Sequence, residues 1–236
     1  MPVYWLSSEN NYFPSPELAS SDGLLAVGGD LSPERLLTAY HFGIFPWFNE
    51  GEPIAWWSPD PRMVLFPSEL KVSKSMRPFF NQQKFQVTFD QNFEVVMRNC
   101  QAPRGEHWGG TWITQDMLEA YCKLHELGFA HSVEVWQADV LVGGLYGVSI
   151  GKCFYGESMF ATVSNASKFG FIHLVNKLKL LGFWLIDCQQ QTRHLGSLGA
   201  KAIPRADFLR ILEKNRRETT LRGSWEGFSG SVLVPK

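Results

Sequence analysis

Two apolar runs in this sequence are each broken by a carboxylate, and both places invite a chemical explanation. In Phe183–Cys188, FWLIDC, the one ionisable residue is Asp187, and Gln189 lies two positions on. A carboxylate inside an apolar strand must be paired, hydrogen-bonded or exposed at the sheet's end, because desolvation otherwise penalises its charge. If the strand continues, a two-residue period puts Asp187 and Gln189 on the same face. The pair could orient and polarise an attacking group, and Asp187 could equally be a structural residue that caps a neighbouring loop. The second place is Tyr155-Gly-Glu-Ser-Met-Phe160, where Glu157 and Ser158 interrupt another strand-like run. Carboxylates on two strands of one sheet could hold a cationic substrate group, or be bridged by an arginine of the protein itself.

Other familiar chemistries find little support. Cys100, Cys122, Cys153 and Cys188 form no CxxC pair, and the six histidines show no HxH or HxxxH spacing. No zinc ribbon, redox motif or metal site is therefore expected, and the cysteines read as small apolar residues. GGDLSP lacks the Lys-Ser/Thr of a phosphate-binding loop, and GLYGVSIG lies between strands rather than opening a helix. No glycine-rich turn leads into the helix near Asn165, which argues against an acyl-CoA donor. Lys71, Lys74, Arg77 and Lys84 fall in a segment without an acid, and Arg98 and Arg104 follow. A net charge of −1 argues against broad nonspecific nucleic-acid binding but leaves room for a local basic patch. A solvated surface face would give the same pattern.

These residues need elements to hold them. With 44% hydrophobic and 19% charged residues in 236, the chain has the composition of a folded protein. No apolar run approaches the roughly 18 residues of a membrane span. The first residues lack the basic and apolar regions of a signal peptide, so a cytoplasmic location is expected. Ser32-Pro33 reads as a cap and first turn of a short helix ending near Gly43. Phe85–Phe89 alternates as a half-buried strand does. From Thr114 the pattern is regular: a helix to Gly128, strands at Ser132–Trp136, Val140–Ile150 and Cys153–Met159, and a helix over Asn165–Leu181. A buried strand at Phe183–Cys188, a short helix, a strand near Ala200–Ile203 and a helix from Arg205 to about Arg216 complete it. That is the order of an α+β, acetyltransferase-like (GNAT) fold. The Gly, Pro and Arg cluster in CQAPRGEHWGG places a boundary between a small N-terminal domain, residues 1–95, and a GNAT-like domain, residues 96–236.

FPSP at 13–16, GLLAVGGDLSPERLLTAYHFGIFPWF, WWSPDPR, TWIT, AYCKLHELGFAHSVEVW, VGGLYG, GESMF, NASK, LIDCQ and IPR at 203–205 follow one another in order. Over nearly the whole chain this series resembles the bacterial leucyl/phenylalanyl-tRNA–protein transferases. The last twenty or so residues lie outside it. The resemblance implies transfer of Leu or Phe from aminoacyl-tRNA to a protein beginning with Arg or Lys, marking it for N-end-rule degradation. It implies no ATP, coenzyme A or metal, because the aminoacyl ester is already activated.

The same resemblance assigns roles. Asp187 with Gln189 would orient the acceptor's α-amine, either by direct proton abstraction at Asp187 or with help from the tRNA's terminal ribose. Positioning alone could supply about 7–11 kcal/mol of the barrier. Glu157 would hold the acceptor's basic end, and Tyr40 would line the substrate site. Leu145, Phe171, Leu174, Leu178 and Ile186 would line an apolar pocket for the donor side chain. Such a pocket separates one methylene by only about 1–3 kcal/mol, so Met would also be accepted. Trp47 and Trp112 would stack on the terminal adenosine. Lys71, Lys74, Arg77 and Lys84 would contact tRNA phosphates, reading shape and charge rather than sequence. The partners expected are thus aminoacyl-tRNA and proteins with N-terminal Arg or Lys, with no membrane and a monomeric enzyme. Two other classes stay open: an acyl-CoA N-acyltransferase, and a noncatalytic RNA-end binding module that would give Asp187 and Gln189 no task.

Overall fold

A computed structural model describes residues 3–82, 84–102 and 113–228. In chain order the elements are β1 (Tyr4–Leu6), β2 (Leu24–Gly28), α1 (Pro33–His41), β3 (Phe45–Pro46), β4 (Ala55–Trp57), β5 (Arg62–Leu65) and α2 (Arg77–Asn81). Then come β6 (Gln86–Phe89), α3 (Phe93–Gln101), α4 (Gln115–Glu126), β7 (Ala130–Gln137), β8 (Val140–Ile150) and β9 (Cys153–Ala161). The chain closes with α5 (Ala166–Leu180), β10 (Leu185–Gln189), α6 (Arg193–Ser197), β11 (Lys201–Ile203) and α7 (Arg205–Asn215).

Local chemistry starts and stops these elements. Ser32 accepts the Arg35 N–H at 3.4 Å with Pro33 in the first turn, and Thr114 caps α4 through Met117 N at 3.2 Å. Gly43, Gly128 and Gly182, just past the ends of α1, α4 and α5, take positive φ, the conformation that closes a helix at least steric cost.

The strands form two sheets. A small sheet runs β1-β2-β4-β3, and a seven-stranded sheet runs β11-β5-β10-β9-β8-β7-β6. The large sheet is antiparallel except where β10 pairs β9, and α5 makes that parallel crossover. Helix, three antiparallel strands, crossover helix and parallel strand is the GNAT-like order expected, in a mixed α/β fold. One core lies between the large sheet and the small sheet with α1, α3, α4 and α7; the other lies under α5. Both faces of β10 are therefore covered, which is why its sequence is almost continuously apolar.

The sheets part between Trp57 and Arg62, whereas the sequence placed its boundary at residues 95 and 96. Strands β5 and β6, both N-terminal to that point, hydrogen-bond into the large sheet. Helix α3 and the strands of the small sheet were not anticipated. Among the described residues no helix is long and apolar enough to cross a membrane, and no group of three His, Cys, Asp or Glu could hold a metal.

The last described residues are a strap. Gly223 N donates to Gly128 O at 3.2 Å, and Arg222 Nη2 donates to Leu127 O at 3.0 Å. Trp225 then enters the core beneath α5, stacks on His131 at 3.7 Å, and gives its backbone N–H to Asp90 at 2.7 Å.

Candidate active site

Asp187 is wholly buried and faces the core beneath the small sheet. Arg62 on β5 reaches across from the neighbouring strand and grips it with two bonds, Nε to Oδ1 at 2.8 Å and Nη2 to Oδ2 at 2.6 Å. The Gln189 backbone N–H donates to Oδ1 at 2.9 Å. Phe45 and Phe208 cover the guanidinium from 4.8 and 4.7 Å. Both carboxylate oxygens are thus occupied by donors; an arginine pairs with Asp187 alone and does not bridge it to Glu157, whose partners are Tyr40, Tyr121 and Gln189. A carboxylate held in this way is suited to fix its neighbours rather than to take a proton.

Two irregularities lie side by side just beyond this pair. On β9 the register against β8 runs Tyr146↔Ser158 and then Gly147↔Gly156, which leaves Glu157 as an extra residue in a β-bulge. Gly147, opposite the bulge, has to be glycine: a Cβ there would lie 2.2 Å from the Tyr155 carbonyl. On β10 the register against β5 slips at Cys188, and Gln189 takes φ of +59°. The parallel ladder between β9 and β10 ends at Tyr155↔Asp187. Beyond it Gln189 Nε2 bridges to Glu157 Oε1 at 2.9 Å. Asp187 and Gln189 were expected to share a face by simple alternation. The bulge is what turns Gln189 toward Glu157, while Asp187 remains with Arg62.

Two phenols complete the cluster. Tyr40 from α1 donates to Glu157 Oε1 at 2.7 Å and Tyr121 from α4 to Oε2 at 3.2 Å, while the two hydroxyls also touch each other. Burial, reinforced by the Glu157 charge, holds both phenols well above the usual tyrosine range, so they stay O–H donors. Desolvation pushes Glu157 up to about 7, against the pull of the Tyr40 bond and with help from the Asp187 charge. The site is therefore poised to exchange a proton for a cation near neutral pH. Cys188 is no alternative nucleophile, because burial drives its thiol far above the usual range. Neither Tyr121 nor Arg62 is assigned a role from the sequence, where Tyr121 reads as one of the inward positions of its helix. The AYC and DPR segments contain them, but nothing local says that they reach Glu157 and Asp187.

Other residues singled out in the sequence fall in three places. Leu145, Phe171, Leu174, Leu178 and Ile186 are buried together in the core beneath α5, on the opposite side of the sheet from Tyr40 and Tyr121. Ile186 on β10 belongs to that core, and the next residue, Asp187, faces the other side of the sheet with Arg62. Trp47 lies two residues from Phe45, the cover of Arg62; the residue is 39% exposed and its ring lies 5.6 Å from that of Trp57. Trp112 lies outside the described residues. Lys71, Lys74, Arg77 and Lys84 are exposed on the segment that crosses α5 between β5 and β6.

Comparison with known proteins bears on this geometry. The family model for the leucyl/phenylalanyl-tRNA protein transferase matches residues 64–213, and that for the transferase's N-terminal domain matches residues 29–60. A leucyl/phenylalanyl-tRNA–protein transferase of Syntrophus aciditrophicus is 58% identical over 90% of this chain and 89% of its own length. Those of Nitrosospira multiformis and Desulfatibacillum aliphaticivorans are 57% and 56% identical, over 90% and 95% of this chain and 91% and 96% of their own lengths. Among solved structures, L-PGS from Bacillus licheniformis is 11% identical over 69% of this chain and 51% of that one, at a TM-score of 0.39.

Proposed function

The chain belongs to the leucyl/phenylalanyl-tRNA–protein transferase family, and from that premise we propose that Glu157, Gln189, Tyr40 and Tyr121 form the site where the acceptor is held and joined to the aminoacyl group. The enzyme transfers Leu or Phe from aminoacyl-tRNA to a protein's N-terminal Arg or Lys, and Met in the same pocket. The observation that carries this reading is the pair of adjacent bulges, which turn a carboxylate and an amide toward each other just beyond the end of the β9–β10 ladder.

The chemistry is aminolysis of an ester. The α-amine nitrogen bonds to the carbonyl carbon, the bond to the tRNA ribose oxygen breaks, and the amine's proton ends on that oxygen. Glu157 offers the only partly buried carboxylate in the cluster, and a cationic acceptor side chain favours its ionised form. Gln189 has an amide able to orient the amine. Asp187 acts through Gln189, whose backbone it holds, so its role is positioning. With Asp187 occupied by Arg62, the reading with help from the terminal ribose is preferred to abstraction by Asp187. The buried leucines, Phe171 and Ile186 supply the apolar pocket for the donor side chain. Lys71, Lys74, Arg77 and Lys84 bind tRNA phosphates, and Trp47 stacks on the terminal base. The modified acceptor then enters N-end-rule degradation in the cytoplasm, and the enzyme works as a monomer.

The test is transfer of labelled Leu from Leu-tRNA to peptides beginning with Arg or with Ser. Transfer to the Arg peptide alone, reduced at least a hundredfold in Gln189→Ala with tRNA binding retained, is expected. No transfer by folded wild-type protein from Leu-, Phe- or Met-tRNA would overturn the reading.

A further inference from the structure

Charge on this protein is segregated in a way that a net charge of −1 conceals. From Ala161 to Ala206 the only acid is Asp187, and that residue is buried and paired with Arg62. The stretch contains Lys168 on α5 and Arg193 on α6, with Lys177 and Lys179 further along α5. Residues 71–84 also lack an acid.

These two acid-free stretches pack against each other. Phe80 lies 4.5 Å from the Phe169 ring and stacks on His173 at 5.5 Å, which lays the 71–84 segment along α5. Lys71 N donates to Leu198 O at 2.8 Å, and this joins the same segment to the end of α6. At the start of α5, the Lys168 charge is close enough to His194 to help burial pull its imidazole down. Glu69, two residues before that segment, is bridged by Lys201 at 2.7 Å. His173 adds no charge, since burial pulls it down to about 4. What remains is a set of permanent cations on elements packed together: Lys71, Lys74, Arg77 and Lys84 on the crossing segment, Lys168 on α5 and Arg193 on α6.

We propose that α5 and α6 extend the tRNA-binding face, with Lys168 and Arg193 contacting the phosphodiester backbone of the donor tRNA beyond its terminal nucleotide. This rests on the transferase reading above. The occupant follows from charge and shape: an array of cations without intervening carboxylates, spread over two helices and a crossing segment, matches the repeating charge of an RNA helix and not one small anion. Such contacts position the duplex without reading its sequence, as an enzyme serving several tRNAs requires.

The experiment compares two donors in wild type and in the Lys168→Ala/Arg193→Ala double variant. One donor is Phe-tRNA; the other is 3′-phenylalanyl-adenosine, which lacks the helix. For Phe-tRNA the KM should rise about tenfold at physiological salt, and the slope of log KM against log salt should fall by about 1.5–2, near one for each lost phosphate contact. With phenylalanyl-adenosine, KM and kcat should not change, and the melting temperature should stay within a degree or two. An unchanged KM and salt slope for Phe-tRNA would overturn the proposal, as would an equal loss with both donors. Absence of transfer by wild type from either donor would instead sink the underlying reading.

Discussion

The near-neutral Glu157 makes acceptor binding depend on pH in a calculable way. From the ordinary 4.5 to about 7 is an ionisation cost of about 3 kcal/mol. A bound guanidinium recovers part of it by favouring the charged carboxylate. At pH 8 about nine-tenths of the free enzyme has Glu157 ionised; at pH 6 about one-tenth does. The inhibition constant of n-butylguanidinium should therefore be about tenfold weaker at pH 6 than at pH 8. This cation lacks an α-amine, so neither its own titration nor the chemical step confuses the measurement. Glu157→Gln preserves the shape and removes the charge. A charge-assisted hydrogen bond contributes about 1.5–3 kcal/mol, so the variant should bind the cation about 10- to 150-fold more weakly at pH 8 and show no pH dependence. The linkage runs the other way for stability. The folded state holds the Glu157 proton to a higher pH than the unfolded chain, so stability contributed by Glu157 is lost between pH 4.5 and 7. Burial holds His173 down to about 4 and works in the opposite direction, so the loss is read as the difference between wild type and Glu157→Gln, which should shrink as pH rises. Competitive inhibition of transfer to an Arg peptide, with a denaturant titration at each pH, measures both. A wild-type inhibition constant that is flat from pH 6 to 8 would refute the assignment of Glu157 to the acceptor's cation.

Three further outcomes are expected. Arg62→Met should destabilise the fold by about 3–5 kcal/mol, because it leaves Asp187 buried without its partner. Arg62→Met with Asp187→Leu should regain most of that in a denaturant titration while transfer stays at least a hundredfold down; recovered transfer would show that the pair has no positioning role. Gln189→Gly removes a side chain from positive φ, so its melting temperature should hold or rise, yet transfer should fall at least a hundredfold, as in Gln189→Ala, with the loss of the amide that meets Glu157. Trp225→Ala should cost about 3–5 kcal/mol through the cavity left against His131, Phe154 and Phe183, with kcat/KM of the folded fraction unchanged at low temperature.

Asp187 and Glu157 could be found in the sequence because each breaks an apolar strand, and such a break is visible within a window of six residues. The helices and strands from Thr114 onward were legible for a similar reason: their periods repeat over long segments with clear caps and stops. The small sheet was not, since β1 and β4 have three residues each and β3 two, too few for any period to show. Arg62 illustrates the other limit. Its partner is 125 positions away, and only pairing of β5 with β10 brings them together. Bulges are equally invisible, because a bulge is a mismatch between two strands and belongs to neither sequence alone.

That last point explains why the site is built as it is. A regular ladder would keep Asp187 and Gln189 on one side of the sheet and leave Glu157 opposed by a β8 residue. Each extra residue re-aims a side chain, and each leaves backbone that the ladder no longer secures. Left-handed backbone at Gln189 persists only if its surroundings over-determine it. The buried Arg62–Asp187 pair is what does so here: it crosses from β5 to β10 beside the slip and takes the Gln189 N–H that the bulge would otherwise strand. The carboxylate that first attracts notice is thus a clamp on the reactive geometry, and Glu157, which burial pushes up to about 7, is its neighbour on β9. A bare Asp187→Ala comparison would conflate the two roles. The rescued double variant separates them, because it restores the packing without restoring the clamp.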